Sequence, residues 1–458
     1  MNIILATYNY YPFAWGGSEV YVHGLAKYLQ RLGHTVAVIA AISASQIPDN
    51  QGIKTQYLQG YEYEYDGVKV LGVTLHHEST SEIYGKYNAI WISSWKELML
   101  KSSLFSSPID ILHYNGYTSV ISVAIINALR EHEKVKGFIA AKVAKVIASY
   151  HTPISCPNGK LLYFRNQECN IEPNVTDCTA CFVNSQKKIP KLLANSLAMI
   201  LPSESIAESI IMTKLPNALK VKHFVDLSLK SFQNLDNQVD KWLVMSDYIY
   251  KVIIRAGVKQ EKISMIRHGI HHDFIHNFIT TTEILQRTSN KTIFVYAGRF
   301  EKIKGFPTLL KTWLALPNEP QKRVLQIIGE VQSESDEINN LLVLAKQRND
   351  IEFMGKKNAT EMRTILQQSH CMIIPSECME IGPLVLHEAI ACGANIIVSD
   401  VGGTAELANY YQEGCTTFKM GNQQDLSNKI LNFQYFPIKH KVRSQKEHYD
   451  LVIEKYNS

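Results

Sequence analysis

The C-terminal half of the chain alternates short β-branched runs with amphipathic stretches. The runs typical of strands lie at 292–298, 323–329, 351–355, 370–376, 394–400 and 415–420. Apolar residues at helical spacing fill the intervals at 306–316, 335–347, 359–369, 384–392 and 404–411. Because strands and helices alternate with short connections, this half is expected to form a parallel sheet covered by helices on both faces.

The N-terminal half begins in the same way. An apolar run at 2–8 predicts a strand, 18–34 a helix and 35–41 the next strand. Residues 61–73 predict a hairpin with Asp66-Gly67 at its turn. Further strands are expected at 109–116, 144–151, 241–247 and 262–269, and a polar linker at 276–291. The pattern predicts two similar α/β domains facing each other, with a ligand in the cleft beyond the carboxyl ends of the strands.

Composition narrows the class of protein. The chain has 458 residues, of which 46% are hydrophobic and 19% charged, as in folded globular proteins with two or three domains. A net charge of +5 is too small to argue for nucleic acid, but it suits an anionic small molecule or membrane surface. The N-terminal apolar run is ended early by Pro12 and lacks a basic start, so a cytoplasmic location is expected.

Two glutamates flank a core-like segment in "ECMEIGPLVLHEAIACG" (377–393). A helix entered at Pro383 would leave the N–H groups of Leu384 and Val385 free to bind an anion such as phosphate. Glu380 would lie just outside this helix and Glu388 inside it. Because carboxylates accept hydrogen bonds from vicinal hydroxyls, the arrangement suits a nucleotide sugar. The alternative is that both glutamates are ordinary solvated residues.

Two cations are expected at the same edge of the sheet. In "AGRFEKIKG" (297–305), Arg299 and Lys304 follow the first strand of the C-terminal domain. Arginine binds phosphate with a planar fork and lysine adds a point charge, so both suit a diphosphate. Surface cations on a loop are the alternative interpretation.

The segments "GRFEKIKG", "PSECMEIGPLVLHEAIACGANIIVSDVGGTAEL" and "WGGSEVYVHGLAKYLQRLGHTV" resemble the signature blocks of glycosyltransferase family 4 (group 1), retaining enzymes of the GT-B fold. The resemblance implies that Glu388 holds the ribose and Glu380 the transferred sugar. It implies that Arg299 and Lys304 neutralise the diphosphate. Gly16 and Gly17 would form the N-domain loop that approaches donor and acceptor.

The chain departs from the family pattern in two places. Many members have Gly-Phe-Gly where this chain has Ile381-Gly382-Pro383, so the phosphate contact must move to Gly382, Leu384 and Val385. Many also have Pro-Asn-Gly where this chain has Arg267-His268-Gly269. The domains implied are 1–278 for the acceptor and 288–439 for the donor, with a C-terminal helix at about 440–458 packing back on the first.

The sequence predicts catalysis without a metal. It contains no Asp-x-Asp, and "EYEYD" (62–66) alternates as a solvated strand face does. Cations and a helix N-terminus would therefore stabilise the leaving diphosphate. His151, at a strand end, resembles the family's N-domain histidine, which would orient a hydroxyl or carry a proton; a structural histidine is the alternative. His113 is a weaker candidate that could pack behind the site.

An insertion at about 151–185 carries four cysteines, Cys156, Cys169, Cys178 and Cys181, in the pattern C-x12-C-x8-C-x2-C. Four thiolates could hold a structural Zn²⁺, which would leave no open position for catalysis. Four unlinked thiols are the alternative. No cofactor is expected to be required for catalysis.

The function predicted is sugar transfer from a UDP- or GDP-sugar to a hydroxyl acceptor in a polysaccharide, glycolipid or small molecule. Two alternatives remain: an epimerase or hydrolase acting on a nucleotide sugar, and a non-catalytic subunit that binds one. The lysines of 134–150 allow peripheral contact with the inner face of a membrane, although a buried strand explains most of that stretch better.

Overall fold

The structure is a computed structural model that describes residues 1–14, 16–49, 51–75, 89–118, 120–132, 143–164, 167–187, 189–201, 220–275, 291–331, 335–438 and 440–458. Two compact units are present. The first comprises Met1–Val244, Tyr250–Met265 and Val452–Ser458, and the second Met245–Ile249 and Ile266–Leu451. All but the last residue of the predicted linker at 276–291 lies outside the described residues.

The first unit contains a nine-stranded sheet. Its strands are β1 (Asn2–Thr7), β2 (Thr35–Ala41), β3 (Ile53–Lys54), β4 (Leu58–Tyr65), β5 (Val68–Leu75), β6 (Ile109–Tyr114), β7 (Val143–Ser149), β10 (Lys241–Val244) and β11 (Ile263–Met265). Two short strands, β8 (Leu162–Tyr163) and β9 (Gln167–Glu168), form a separate antiparallel hairpin. The helices that begin in this part of the chain are α1 (Gly17–Arg31), α2 (Ala89–Lys101), α3 (Ala124–His132), α4 (Val175–Lys187), α5 (Lys191–Ile200), α6 (Val221–Gln238) and α7 (Asp247–Arg255).

The order of the large sheet is β11-β10-β7-β6-β1-β2-β5-β4-β3. All neighbours are parallel except β3–β4 and β4–β5. The predicted hairpin is confirmed, because Asp66 and Gly67 join β4 to β5 with φ values of 47° and 73°, as a type I′ turn requires. The strand order reverses between β1 and β6, and in sheets of this kind ligands bind at that point.

The second unit contains a six-stranded sheet in which every pair is parallel. Its strands are β12 (Thr292–Ala297), β13 (Arg323–Ile328), β14 (Ile351–Gly355), β15 (Cys371–Ile374), β16 (Asn395–Ser399) and β17 (Cys415–Phe418). The remaining helices are α8 (Phe306–Ala315), α9 (Asp336–Ala345), α10 (Ala359–Gln368), α11 (Leu384–Ala391), α12 (Gly402–Tyr411), α13 (Gln423–Leu431) and α14 (Gln445–Asn457). The predicted strands and helices of this half are confirmed to within a few residues, and α13 is an addition.

The strand order β14-β13-β12-β15-β16-β17 is that of a six-stranded Rossmann sheet and reverses between β12 and β15. The sheet is buried on both faces. Val295, Met372 and Ile396 belong to one apolar core, whereas Phe294 and Cys371, their direct neighbours, belong to the other. Covered faces explain why these strands read as continuous apolar runs rather than as alternating ones.

Residues 266–275 and 440–451 belong to the second unit, whereas the sequence assigned both to the first. The reason is a local pairing, since Ile270 forms a parallel bridge with Ser444 and accepts a hydrogen bond from the N–H of Gln445 at 2.7 Å. A side chain at Gly269 would come within 2.1 Å of the Ser444 carbonyl oxygen, so glycine is needed there. In the part of the chain described, no helix is long and apolar enough to cross a bilayer.

Candidate functional site

Two loops of the second unit meet at the point where its strand order reverses. One follows β12 and carries Arg299 and Lys304, and the other follows β15 and carries Glu380. The N–H of Glu377 donates to the Ile303 carbonyl at 2.9 Å, which joins the loops. Gly305 has a φ of 66°, and a side chain there would come within 1.7 Å of the Pro375 carbonyl oxygen. The close approach of the loops therefore depends on glycine at this position.

Lys304 and Glu380 are the centre of the site. The lysine Nζ lies 2.7 Å from Glu380 Oε1, and the Ser376 hydroxyl donates to the same oxygen at 2.8 Å. Burial alone would lower the pKa of Lys304, but the Glu380 carboxylate outweighs burial and raises it. Lys304 therefore keeps its proton at neutral pH, and it forms an ion pair with Glu380 in a partly buried place.

Arg299 lies on the loop of Lys304 but has a different partner. Its Nη1 pairs with Glu301 Oε1 at 3.1 Å, and the side chain is half exposed. Its charge also acts to lower the pKa of Lys304, so the two cations are near enough to repel each other. A dianionic group placed between them would relieve that repulsion.

A glycine pair fixes the backbone of Glu380. The Gly403 N–H donates to the Glu380 carbonyl at 2.7 Å. A side chain at Gly403 would lie 2.6 Å from the carbonyl oxygens of Glu380 and Ile381, and Gly402 has a φ of 58°. The start of α12 thus presses against the 379–381 loop. The sequence alone assigned no role to Gly402 and Gly403, although a glycine pair that opens a helix beside the predicted site is a signal for one.

Helix α11 supplies the second carboxylate. Pro383 caps the helix, and Leu384 and Val385 form its first turn, so their N–H groups have no partner within the helix. Glu388 lies one turn further on, and burial raises the pKa of its carboxyl to about 7. The residue is only partly buried by its accessible surface, so the carboxyl can be reached by a ligand that donates hydrogen bonds to it.

His268 borders the same loop. A side chain at Gly382 would lie 3.5 Å from His268 Cδ2 and 3.7 Å from Met245 Cβ. The preceding Arg267 pairs with Asp247 at 2.6 Å and with Glu406 at 2.9 Å. The sequence identified Arg267 and His268 only as departures from a family pattern, whereas the structure places them against the predicted site.

The predicted residues of the first unit lie near one another. Gly16 caps α1, Gly17 is its first residue and Tyr21 follows one turn later. The ring of His151, just past the end of β7, is 4.7 Å from the ring of Tyr21. The structure therefore brings His151 to the first turns of α1, at the carboxyl edge of the sheet.

His113 is a packing residue, which is one of the two interpretations that the sequence allowed. It is fully buried, with Nδ1 2.7 Å from the Tyr456 hydroxyl and Nε2 2.8 Å from the Ser149 hydroxyl. Tyr456 lies in α14, so this contact ties the C-terminal helix to the first sheet. Both ring nitrogens are used in these bonds, and the ring supports the sheet.

The four cysteines of the insertion are close enough to affect one another. Burial raises the pKa of Cys178 to about 12, and the nearby thiols of Cys156, Cys169 and Cys181 add to the effect. The Cys156 carbonyl accepts from the Gly159 N–H at 2.8 Å in a tight turn, and Cys178 and Cys181 share one face of α4. All four thiols are free.

A Zn²⁺ ion bound by four thiolates requires sulfur atoms about 3.8 Å apart, because each Zn–S bond is about 2.3 Å. Among the described residues, the group whose ligand atoms all lie within 4.8 Å of one another is instead His271, His272 and Asp273. Ion pairs of 3.4 and 3.2 Å to Asp273 already account for that group. The zinc site of the insertion stays a prediction, and elemental analysis of the purified chain decides it.

Two family models match the chain. The model for glycosyl transferases group 1 covers residues 278–441, and that for glycosyltransferase family 4 covers residues 15–211. A relative described as an uncharacterized 42.6 kDa protein in the cps region of Klebsiella pneumoniae is 23% identical over 413 residues, 89% of this chain and 87% of that protein. An uncharacterized glycosyltransferase of Methanocaldococcus jannaschii is 23% identical over 190 residues, 41% of this chain and 47% of that protein.

Solved structures share the fold. Anabaena HepE in complex with UDP and glucose superposes with a TM-score of 0.58 at 14% identity, covering 100% of both chains. A glycosyltransferase from Rickettsia africae gives 0.55 at 15% identity, covering 99% of this chain and 97% of that one. At these identities the comparison establishes the architecture, two parallel α/β units of the GT-B type.

Proposed function

Because the chain belongs to the family 4, group 1 glycosyltransferases, we propose that it is a retaining enzyme that moves a sugar from a nucleotide-sugar donor to a hydroxyl acceptor. Retention is inferred from the family and not from any distance in the site. The enzyme class follows from membership of this family, and the donor, the acceptor and the mechanism are what we propose.

One observation supports the proposal most strongly. The Lys304–Glu380 ion pair of 2.7 Å lies at the reversal point of a Rossmann-type sheet, next to the start of a helix that carries a partly buried carboxyl at Glu388. Such a place suits a ligand with a diphosphate in its middle and hydroxyls at both ends. A nucleotide sugar has that form.

Each side chain then has a role. Glu388 accepts from the ribose hydroxyls, and Glu380 accepts from hydroxyls of the transferred sugar. The bond between the anomeric carbon and the β-phosphate oxygen breaks, and its electron pair stays on that oxygen. Lys304 and Arg299 stabilise the charge as it develops, as do the N–H groups of Gly382, Leu384 and Val385.

The acceptor hydroxyl oxygen forms the new bond to the anomeric carbon and loses its proton. We assign the acceptor side to the first unit, where Gly16 and Gly17 form the approaching loop. His151 orients the acceptor hydroxyl or carries its proton. The reaction is proposed to need no metal, since the cations and the helix N-terminus supply the charge that a divalent ion would.

The comparisons favour one donor among those considered. HepE is described with UDP and glucose, which favours a UDP-sugar over a GDP-sugar. The Klebsiella pneumoniae relative is placed in a cps region, which favours a saccharide acceptor in polysaccharide biosynthesis. The proposed location is the cytoplasm, where nucleotide sugars are made.

A donor screen tests the proposal. Purified protein is incubated with UDP- and GDP-sugars, with and without EDTA and candidate saccharides, and free nucleoside diphosphate is measured. Release that requires an acceptor and survives EDTA is expected. Release without any acceptor would identify a hydrolase instead.

Variants then test the site. Lys304→Ala and Glu380→Gln are each expected to lower kcat by about 10²–10³-fold, the typical cost of removing one charge-stabilising group. Lys311→Ala is the matched control, because Lys311 forms a 2.5 Å pair with Glu337 on the exposed surface of the same unit. Wild-type turnover in both site variants, with circular dichroism showing intact folds, would exclude the assignment.

A further inference from the structure

A groove with a volume of about 690 Å³ opens at the amino edge of the second sheet. Asn395, the first residue of β16, and Cys415, the first residue of β17, both line it. The transfer site proposed above lies at the opposite, carboxyl edge. β16 has five residues, and each residue of a parallel strand rises about 3.3 Å, so the two edges are on the order of 15 Å apart. The groove is therefore a separate feature with the size of a small-ligand site.

One wall of the groove is fixed by hydrogen bonds to residues at the start of β16. The Asn395 side chain donates to the Phe436 carbonyl at 2.6 Å and accepts from the Phe436 N–H at 2.7 Å. The Tyr435 hydroxyl donates to the Gly393 carbonyl at 3.1 Å. Gly414 has a φ of 71°, and a side chain there would come within 2.6 Å of Asn395 Nδ2, so glycine leaves room for these bonds. The wall is therefore preorganised.

Another side of the groove consists of α13 and the residue that caps it. Polar residues at positions i, i+3, i+4 and i+7 share one helix face and line the groove: Asp425, Asn428, Lys429 and Asn432. Asn428 Oδ1 accepts from the Gln424 side chain at 3.2 Å, and Asn432 Nδ2 donates to the Asn428 carbonyl at 2.9 Å. Among the described residues, these bonds leave the amide NH2 group of Asn428 and the amide oxygen of Asn432 available to a ligand.

Charge argues against two classes of ligand. The charged residues of the lining are Asp425 and Lys429, which offset each other. A phosphate group is normally held by several cations or N–H groups, and a divalent cation by several carboxylates. The described lining offers neither set, so a neutral and polar ligand is expected.

A sugar fits that description. Each hydroxyl both donates and accepts, so neighbouring hydroxyls can pair with one amide NH2 group and one amide oxygen. The rings of Phe433 and Phe436 also line the groove, and Phe436 is 50% exposed. An exposed ring offers a flat apolar surface for the C–H face of a sugar. We therefore propose that the groove is a second saccharide-binding site, which holds a neutral sugar away from the place of transfer.

The location of the groove gives the proposal a consequence. A sugar held at the amino edge is not the one that reacts at the carboxyl edge. In a polymeric acceptor, one part of the chain held in the groove would raise the effective concentration of the reacting end. That consequence rests on the proposed function, whereas binding of a saccharide to the groove does not.

Saturation-transfer NMR and calorimetry with the full chain test the proposal. Maltotriose, cellotriose and mannotriose are the saccharide probes, and uridine monophosphate and inorganic phosphate are the anionic probes. At least one trisaccharide is expected to bind wild type with a Kd in the millimolar range, as a few neutral hydrogen bonds would give.

Two variants locate the bound sugar by different means. Asn428→Ala/Asn432→Ala is expected to weaken trisaccharide binding at least about tenfold, the loss expected for two neutral hydrogen bonds. Thr416→Trp fills the groove from the exposed side of β17 and is expected to abolish binding. The matched control is Asn339→Ala/Asn340→Ala, which removes two exposed amides from α9 of the same unit and should bind as wild type. Circular dichroism verifies that each variant is folded.

Three results would overturn the proposal. The first is that no trisaccharide binds wild type, and the second is that both groove variants bind as wild type does. The third is that uridine monophosphate binds wild type and is lost from the groove variants, which would identify a nucleotide site. Trisaccharide binding that Glu380→Gln removes and the groove variants keep would place the sugar at the transfer site instead. A chain that binds saccharide in the groove but transfers no sugar would refute the proposed function and leave the groove assignment standing.

Discussion

The carboxyl edges of the two sheets are built from different chemistry. In the second unit, Lys304, Arg299 and Glu380 bring charge to the place where the strand order reverses, and glycines force the loops together. In the first unit, the corresponding edge carries a glycine pair at the start of α1 and a histidine against the Tyr21 ring. One edge carries two cations and an ion pair on interlocked loops, whereas the other carries aromatic rings, a histidine and the buried carboxylate of Glu19.

This difference teaches how the work of transfer is divided. A diphosphate has the same charge and shape in every nucleotide sugar, so a fixed set of cations, N–H groups and carboxylates can be selected for it. An acceptor hydroxyl carries no charge, and its recognition depends on the shape of neutral surfaces. The second unit therefore carries most of the transition-state stabilisation, and the first unit determines what receives the sugar.

The strongest test of this contrast is to disturb one glycine on each edge. Gly305→Ala requires a side chain at a φ of 66° and within 1.7 Å of the Pro375 carbonyl oxygen, so the loops must separate. We expect at least a 10³-fold loss of transfer and a lowered melting temperature. Activity is measured as release of nucleoside diphosphate, and stability by thermal unfolding.

Gly16→Ala is the counterpart in the first unit. Gly16 has an extended backbone at φ −151°, and its added carbon would meet the end of the Glu19 side chain at 2.6 Å. Glu19 is buried and accepts from the Ser18 hydroxyl, so its end must shift, but no backbone atom is in the way and the loss of stability should be smaller than in Gly305→Ala. If Gly305→Ala were as well tolerated as Gly16→Ala, the charged edge would not be the rigid one.

Much of the second unit could be predicted from the sequence. Its strands are apolar runs bounded by turn residues, and Glu380, Glu388, Arg299 and Lys304 follow strand ends, where parallel sheets collect their functional residues. The pairing of Lys304 with Glu380 could not be read, because it depends on how closely two loops approach. That approach is set by Gly305 and Gly403, whose role becomes evident only from the carbonyl oxygens they contact.

Less of the first unit could be predicted from the sequence, and the reason is physical. A histidine near a strand end can support a sheet or serve a site, and both His113 and His151 close apolar runs in the sequence. The structure separates them, since His113 lies inside β6, fully buried and bonded to Tyr456 some 343 residues away, whereas His151 lies past the end of β7.

His151→Ala tests the edge of the first unit with a smaller effect. If His151 orients the acceptor hydroxyl or carries its proton, we expect kcat to fall by about 10–10²-fold, at the lower end of what a positioned acid or base contributes. Donor affinity, measured by calorimetry with the nucleoside diphosphate, should not change. Tyr21→Phe keeps the ring beside His151 and should retain most activity. Loss of donor binding in His151→Ala would contradict the proposed division of roles between the two edges.

The smallest effect concerns the pH dependence of donor binding at the charged edge. Burial raises the pKa of Glu388 to about 7, so the carboxyl is mostly ionised at pH 8 and mostly protonated at pH 6. Ribose hydroxyls donate to the ionised form, and one pH unit below the pKa only about a tenth of the carboxyl is ionised. The affinity for the nucleoside diphosphate should therefore fall by up to about tenfold from pH 8 to pH 6, whereas Glu388→Gln should bind more weakly at pH 8 and lose this dependence.

The stability of the fold gives an independent test of the same carboxyl. Between the ordinary carboxyl pKa and 7, the folded chain holds a proton on Glu388 that the unfolded chain releases, so rising pH destabilises the fold through this group. Glu388→Gln should accordingly raise the melting temperature at pH 8 and leave it unchanged at pH 4. If the variant differed from wild type by the same amount at both pH values, the pKa of the Glu388 carboxyl would not be raised in the folded chain.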